Sequence, residues 1–450
     1  MKHRLLVVAS AASKGLTNNV VESLGVFTLE IIQDLQINNG QVALAMALAQ
    51  SCCLVTGPLS HQVVKKLGFS CSVSLAGLAF FAGFIALSFS PAYLPFLLLM
   101  IFVGLAANIV ITVGLLVVAK AFRQNATERQ RAFAFSNVGT AFLAMFWPVV
   151  FVELGRVYQW RGAIFIIAGI VLNLQPVALL LPRSFVHFED NQETKRDDNH
   201  PQIMDGNLLG KERRGKGSSA VVHSGDHFAV KQGRPMISLW RRPSYWLAFL
   251  GGVLIHGAAT IFHTFNFANF ERQGLPRSEC GISYFVIGGA SLVSRLGSGY
   301  SRRLCPGGRT LPPWFAACCL NCVCYALLSL WPLNRPVLYS ASVLCGLAHG
   351  VVWAMHSTVI ADLLPERLVA RGLSSSYFGL GLGCFFAPIL AGIAVDQLNG
   401  DYAHVLAASN CMMALVFACP VGGEVCQWLL RKYRDSSQPL DLLVNGTNGI

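Results

Sequence analysis

Long apolar runs recur along the whole chain, and they restrict the fold more than any other feature of the sequence. In a bilayer only α-helices and closed β-barrels satisfy their own backbone hydrogen bonds, and a spanning helix takes about 20 mostly apolar residues. The alternating segments of a barrel are not seen. We therefore predict an all-α protein embedded in the lipid bilayer. Windows of about 19 residues predict twelve transmembrane helices, near residues 4–32, 41–63, 69–89, 92–118, 132–154, 162–182, 244–270, 280–300, 311–332, 336–360, 372–395 and 403–430.

The composition agrees with a membrane protein and excludes other classes. Of the 450 residues, 54% are hydrophobic and 12% are charged, whereas soluble domains contain about 25% charged residues. The net charge of +12 comes from short basic clusters between apolar runs, so it indicates topology rather than nucleic-acid binding. The 14 cysteines have neither zinc spacing nor a disulfide framework, so we predict free thiols and no metal. Because no nucleotide loop or nucleophile motif appears, we predict neither a cofactor nor an enzyme.

The basic residues of the short loops predict the orientation. Clusters such as Lys65–Lys66 and Arg302–Arg303 all fall on one side if the helices alternate, and the opposite loops contain few lysines or arginines. Loops rich in these residues face the cytosol. We therefore expect both termini in the cytosol.

One polar segment divides the chain. Residues 183–243 are charged, rich in glycine, aspartate and asparagine and poor in aromatic residues, as is typical of disorder. We predict a cytosolic linker there, between an N-terminal six-helix half at 1–182 and a C-terminal half at 244–431, with a cytosolic tail at 432–450. A shift of about 240 residues lays one half on the other, and such a parallel repeat is typical of the major facilitator fold, with its substrate site between the halves near the bilayer midplane.

Several stretches resemble the monocarboxylate transporter family within the major facilitators. They are SLGVFTLEI at 23–31, GPLSHQVVKKLG at 57–68, YQWRGAIFIIAGIVLN at 158–173, ERLVARGLSSSYFGLGLG at 366–383 and APILAGIAVDQLNGDY at 387–402. The resemblance implies a small carboxylate solute as substrate and a location in the plasma membrane. It also implies a single-pass immunoglobulin-like ancillary subunit.

The chain departs from the family pattern in several places, including a missing signature at the first helix and a loose match at the start of the fifth, and two of the departures change charged positions. Lactate-carrying members have a basic residue that takes part in proton coupling where this chain has Glu22, and they have an aspartate where it has Ser291. The arginine four residues after that aspartate is retained as Arg295. The resemblance therefore implies a path for an anion or a zwitterion, with proton-linked and facilitated transport both open.

Polar residues near the middle of the first, fourth, seventh and tenth helices are candidates for the substrate site, because these helices line the cavity in this architecture and intramembrane polar residues are functional by default. Histidine titrates near neutral pH, so the two histidines, with the acid of the first helix, are also candidates for proton coupling. Two structural interpretations stay open: Lys14 and Glu22 pair with each other, and the histidines are hydrogen-bonded packing residues. The substrate-binding candidates on these helices are Asn18, Glu22, Asn108, His256 and His349.

Arg295 lies inside the predicted eighth helix and needs a physical explanation. An arginine at mid-bilayer costs about 2.5–3.5 kcal/mol, so it usually faces a cavity, a partner or a substrate. Snorkelling to the membrane surface is the alternative. Since a guanidinium matches a carboxylate bidentately, we predict that Arg295 binds the substrate carboxylate and that Glu22 is its resting partner. The leading hypothesis is a transporter working by alternating access; the alternative is a non-transporting receptor or sensor with the same fold.

Overall fold

The computed structural model describes residues 2–122, 126–182, 243–298, 310–364 and 366–418, and this part of the chain is helical and contains no strand. The predicted tail and the linker, apart from Pro243, lie outside the described residues. In order, the helices are α1 Lys2–Gly15, α2 Asn18–Ser23, α3 Thr28–Leu35, α4 Asn39–Val55, α5 Gly57–Leu67, α6 Phe69–Ser88, α7 Tyr93–Ala121, α8 Ala126–Val171, α9 Leu174–Leu179, α10 Pro243–Arg272, α11 Arg277–Ser298, α12 Leu311–Leu330, α13 Arg335–Leu363 and α14 Glu366–Gln397, followed by α15 Tyr402–Ala418.

These helices confirm the predicted all-α membrane fold and are consistent with twelve spans. Within the described residues, eight helices are long and apolar enough to cross a bilayer, or nine if Asn39–Val55 and Leu59–Leu67, bent by 58°, form one span. One of the eight, Arg131–Leu179, includes two predicted spans. They are separated at Gln159, whose φ of 58° and ψ of 176° interrupt α8. The last predicted span corresponds to α15.

The first predicted span is broken into α1, α2, a 3-10 turn at Leu24–Phe27 and α3. Hydroxyl groups that hydrogen-bond to the carbonyl four residues earlier tend to bend helices. Ser13 donates to Ala9 O at 2.7 Å, Thr17 to Ser13 O at 2.8 Å and Ser23 to Asn19 O at 2.8 Å. The bends therefore have a local cause in the sequence, and they set α2 apart as a short polar helix.

Contacts between distant parts of the chain join the helix ends on one side of the bundle. We call this side the outer end, after the orientation predicted from the loops; it contains the turns at 36–38, 89–92, 273–276, 331–334 and 398–401. Asp396 at the end of α14 accepts hydrogen bonds from the backbone N–H groups of Asn39 and Gly40, at 3.0 and 2.8 Å. Its carboxylate thus caps the first turn of α4, where helix N–H groups lack partners. Tyr402 also donates to the Asn39 side chain.

Below this end, the 3-10 turn of the first span lies against α10. A Cβ built on Gly25 would be 1.8 Å from the backbone oxygen of His263. Thr28, at the start of α3, donates to the backbone oxygen of Thr264 at 2.7 Å. Because the two backbones touch here, the first span and α10 close the bundle on its outer side.

Candidate functional site

A cavity of about 170 Å³ lies among α1, α2, α4, α7, α8, α10, α11, α13 and α14. Its walls combine apolar side chains with a few polar and charged ones, as is usual for binding sites of small molecules. Its polar and charged lining residues are Lys14, Asn18, Asn19, Glu22, Ser23, Asn137, Thr140, His263, Tyr284, Ser291, Arg295, His349, Ser357 and Tyr377.

Two basic side chains meet at one residue of this cavity. Lys14 Nζ donates to Asn137 Oδ1 at 3.1 Å, and Arg295 Nη1 donates to the Asn137 backbone oxygen, also at 3.1 Å. Lys14 is on α1 and Arg295 on α11, so Asn137 on α8 brings the two cations together. Arg295 points into the bundle and lines the cavity; the snorkelling interpretation is not supported.

The acidic group of the cavity belongs to α2. Asn18 and Glu22 are four residues apart, which places them on one helix face, and Asn18 Nδ2 donates to Glu22 Oε1 at 2.5 Å. The expected direct pairing with Arg295 is not observed, because no ion pair within 4.0 Å joins Glu22 to a basic residue among the described side chains. Glu22 and Arg295 share the cavity without touching.

The predicted histidines lie at one side of the cavity. His349 lines it, and its Nδ1 lies 3.3 Å from the hydroxyl of Tyr325. His256 lines an adjoining side pocket of about 30 Å³, together with His349, Glu22 and Asn18. The structure therefore places Asn18, Glu22 and His349 in the walls of both pockets, with His256 in the side pocket and Arg295 in the main cavity.

Asn108 lies elsewhere. Its Nδ2 donates to the backbone oxygen of Cys53 at 2.5 Å, and its Oδ1 accepts from the hydroxyl of Ser60. These bonds tie α7 to α4 and α5, and the α7 residues in the cavity wall are Ile111 and Leu115. Asn108 is thus placed as a structural residue, away from the cavity for which we predicted it.

Asn137 and Ser291 line the cavity but were not among the predicted substrate-binding residues. Asn137 is in the fifth predicted helix, outside the four helices expected to line the cavity; as an intramembrane polar residue it nevertheless fits the rule that such groups are functional. Ser291 stands where the family has an aspartate, lines the cavity, and is 3% exposed. Within the described part of the chain its hydroxyl oxygen has no hydrogen-bond partner.

With this geometry established, comparisons with known proteins define the family. The sequence profile of the Major Facilitator Superfamily matches residues 12–388 and 312–422. The chain belongs to the Major Facilitator Superfamily. Because this superfamily consists of transporters, the prediction that the chain is not an enzyme is confirmed.

Individual superfamily members agree with the resemblance noted from the sequence. Monocarboxylate transporter 12 of Mus musculus is 23% identical over 456 residues, covering 96% of this chain and 88% of that protein. Monocarboxylate transporter 6 of Mus musculus is 25% identical over 182 residues, covering 39% and 38%. These matches confirm the resemblance to monocarboxylate transporters.

Solved structures of the superfamily share the fold. An inward-facing, unoccupied bacterial homolog of the human lysosomal transporter Spinster superposes with a TM-score of 0.65 at 13% identity, covering 94% of this chain and 96% of that one. A D-xylose-proton symporter gives 0.65 at 11% identity, covering 92% and 96%. At such identities the likeness concerns the fold alone.

Proposed function

We propose that this superfamily member moves a small monocarboxylate, or a related carboxylate-bearing organic solute, across the membrane by alternating access. The observation that best supports this substrate class is the meeting of Lys14 and Arg295 at Asn137 in the cavity wall. A guanidinium binds a carboxylate through two parallel hydrogen bonds, and such charge-assisted bonds are the strong ones. The similarity to monocarboxylate transporters supports the same substrate class.

The balance of charge in the cavity favours an anion. Among the described residues that line the cavity, two basic side chains face one acid, Glu22, whose carboxylate accepts a hydrogen bond from Asn18. An incoming carboxylate at Arg295 therefore balances the positive charge of these lining groups. The neutral polar groups of the lining can hydrogen-bond to water. The charged groups of the protein are already removed from bulk water before the substrate binds, so their desolvation adds no further cost to binding.

The remaining parts of the proposal concern coupling and location. Proton-linked transport would use Glu22, His256 or His349, which line the main cavity or the adjoining side pocket; without a proton the same cavity supports facilitated transport. We further propose a plasma-membrane location with both termini in the cytosol, and an immunoglobulin-like ancillary subunit. These follow from loop charge and family resemblance.

Uptake of radiolabelled monocarboxylates into proteoliposomes, at neutral and acidic pH, tests the proposal. We expect Arg295→Ala to lower uptake at least about hundredfold, because it removes charge-assisted hydrogen bonds to the substrate. Arg295→Lys keeps the charge but loses the planar fork, and we expect an intermediate rate. Arg335→Ala is the matched control: Arg335 is 71% exposed and pairs with Glu279 at the outer end.

The outcomes separate the alternatives. Full uptake by Arg295→Ala would contradict the role of this arginine. Saturable carboxylate binding by the wild-type protein without uptake or counterflow would favour the receptor or sensor. A stimulation of uptake by acidic external pH that disappears in Glu22→Gln, His256→Gln or His349→Gln would identify the proton-coupling group.

A further inference from the structure

The side pocket next to the cavity has a hydrogen-bonding character of its own. It is bounded by α2, α4, α10, α13 and α14 and shares Asn18, Glu22, Leu54, His263, His349 and Trp353 with the main cavity. Gln50, His256, Ala259, Thr260 and Cys384 belong to the side pocket alone. A solute bound in the main cavity therefore lies next to a space of different composition, on the side of Glu22 and His349.

The size of this pocket suits a single end group. A space of about 10–15 Å³ holds one water, and the side pocket has about 30 Å³ against about 170 Å³ for the main cavity. The side pocket therefore has room for a hydroxyl or amino group with the carbon that bears it, but not for a ring or a branched chain.

The hydrogen bonds of His256 fix what its ring offers to this pocket. Nδ1 lies 3.2 Å from the backbone oxygen of Gly252. A carbonyl oxygen only accepts, so Nδ1 bears the hydrogen, and Nε2 of the neutral ring is an acceptor. Nε2 is buried and has no hydrogen-bond partner among the described residues, and the side chain as a whole is 4% exposed.

Two further groups of the pocket, Thr260 and Glu22, present acceptors, whereas the amide of Gln50 can both donate and accept. Thr260 donates its hydroxyl hydrogen to the backbone oxygen of His256 at 2.8 Å and lies 3.1 Å from Cys384 Sγ, so only its lone pairs are left. Glu22 accepts one hydrogen bond from Asn18, whereas a carboxylate has about four acceptor positions. A buried acceptor without a donor costs about 1–3 kcal/mol, so a ligand group that donates hydrogen bonds is favoured here.

We propose that the side pocket binds the far end of the substrate and that this end is a hydrogen-bond donor. The proposal rests on the proposed function: the carboxylate occupies the Arg295 end, and a terminal amino or hydroxyl group donates to Glu22 and His256 Nε2. The substrate is therefore a carboxylate with a polar, donor-bearing second end rather than a plain alkyl monocarboxylate. An amino group is favoured over a hydroxyl where Glu22 is ionised.

The test is competition by matched ligands against binding or uptake of a radiolabelled carboxylate in proteoliposomes. The ligands are propionate, butyrate, pentanoate and hexanoate, each with its ω-hydroxy and ω-amino derivative, so that chain length and end group vary independently. For the chain length that spans the two ends, we expect the donor derivative to compete at least about tenfold more tightly than the plain acid, since hydrogen bonds to charged groups contribute about 1.5–3 kcal/mol. A rank of amino above hydroxyl indicates ionised Glu22, and equal ranks indicate neutral hydrogen bonding; both support the proposal.

Variants assign the preference to the pocket. Glu22→Gln and His256→Phe are expected to bring the donor and plain ligands to within about twofold of each other while a plain acid still competes. His404→Gln is the matched control, because His404 is 77% exposed at the outer end and pairs with Asp401. Equal competition by plain and donor ligands at every chain length in the wild-type protein overturns the inference but leaves the proposed function intact. If no carboxylate competes or enters, the proposed function itself fails.

Discussion

The cavity and the outer end both contain hydrogen-bonded charges, but their partners differ. At the outer end, Asp396 accepts three hydrogen bonds from Asn39 and Gly40, counting the Asn39 side chain at 2.7 Å. In the cavity, Glu22 accepts one, from Asn18. A charge whose hydrogen-bonding capacity is filled by protein groups holds the structure together, because removing a partner leaves the others unsatisfied. A charge with open capacity in a cavity is available to a ligand.

Arg277 shows the same contrast among the basic residues. At the outer end it contacts Glu30 of α3 at 2.5 Å and also Glu271 at the end of α10. It therefore bridges the first span and the second half of the chain. Lys14 and Arg295, in contrast, both donate hydrogen bonds to neutral oxygens of Asn137. The first arrangement suits a closed end of the bundle, and the second suits an anion site.

The largest expected effect comes from separating the two backbones that close the outer side. Gly25→Ala places a Cβ 1.8 Å from His263 O, and overpacking typically costs about 1–3 kcal/mol, more where backbone must move. We expect uptake to fall about hundredfold and the outer end to become more accessible to a membrane-impermeant thiol reagent at an introduced cysteine. Gly169→Ala is the control, since a Cβ there meets nothing within 4 Å. Unchanged uptake in Gly25→Ala would show that the contact is not needed in the transport cycle.

The next effect comes from the cap that joins α14 to α4. Asp396→Ala leaves two backbone N–H groups of α4 without their acceptor, and losing such a cap costs about 0.5–2 kcal/mol. We expect uptake to fall about tenfold, again with greater access from the outer side. Uptake equal to that of the wild type, with unchanged access, would mean that the outer end is held by other contacts.

Asp401→Ala is the matched control for this cap. Asp401 accepts from the backbone N–H of His404 at 3.1 Å and so caps α15 within the second half alone. That hydrogen bond lowers the pKa of the Asp401 carboxyl. Loss of the Asp401 cap is expected to reduce thermal stability slightly without changing access to the cavity.

A smaller effect is expected in the cavity itself. Asn137→Ala removes the side-chain oxygen that holds Lys14 but keeps the backbone oxygen that holds Arg295. One hydrogen bond to a charged group is worth about 1.5–3 kcal/mol, part of which water in the cavity restores. We therefore expect KM for the carboxylate to rise about fivefold with little change in kcat, measured as concentration-dependent uptake. Asn173→Ala, at an exposed asparagine that bonds only to Ile170 O in the described structure, is the control; a fall in kcat alone would contradict a binding role for Asn137.

The sequence predicts the fold well because a bilayer imposes one rule on every span. Each run of apolar residues long enough to cross must be helical, and all twelve predicted runs overlap helices. The Asn18 and Glu22 stripe was also predictable, since residues four apart share a helix face even where the first span is broken. Arg295 was found because a charge in an apolar run needs a polar surrounding.

Other parts of the site depend on contacts that no local pattern encodes. Asn39 and Asp396 are 357 positions apart, and their contact exists only once the two ends of the bundle meet. Asn108 was expected to line the cavity but does not. Because α7 is apolar on every side, no hydrophobic stripe in the sequence tells which of its faces meets the cavity. The pairing of Glu22 with Arg295 was expected from opposite charge, but Asn18 on the same helix was nearer to Glu22 and formed the bond instead.

The smallest effect is expected at an ion pair of the outer end that joins only neighbouring helices. Arg335 of α13 contacts Glu279 of α11 at 2.8 Å and is 71% exposed. Exposed pairs contribute about 0–1 kcal/mol because water and salt screen them. We expect Arg335→Ala to change uptake by less than about twofold, whereas Arg277→Ala, which breaks contacts to both Glu30 and Glu271, lowers it severalfold and raises outer access. Equal effects of the two substitutions, measured side by side at low and high salt, would mean that position at the outer end matters more than bridging between the first span and α10.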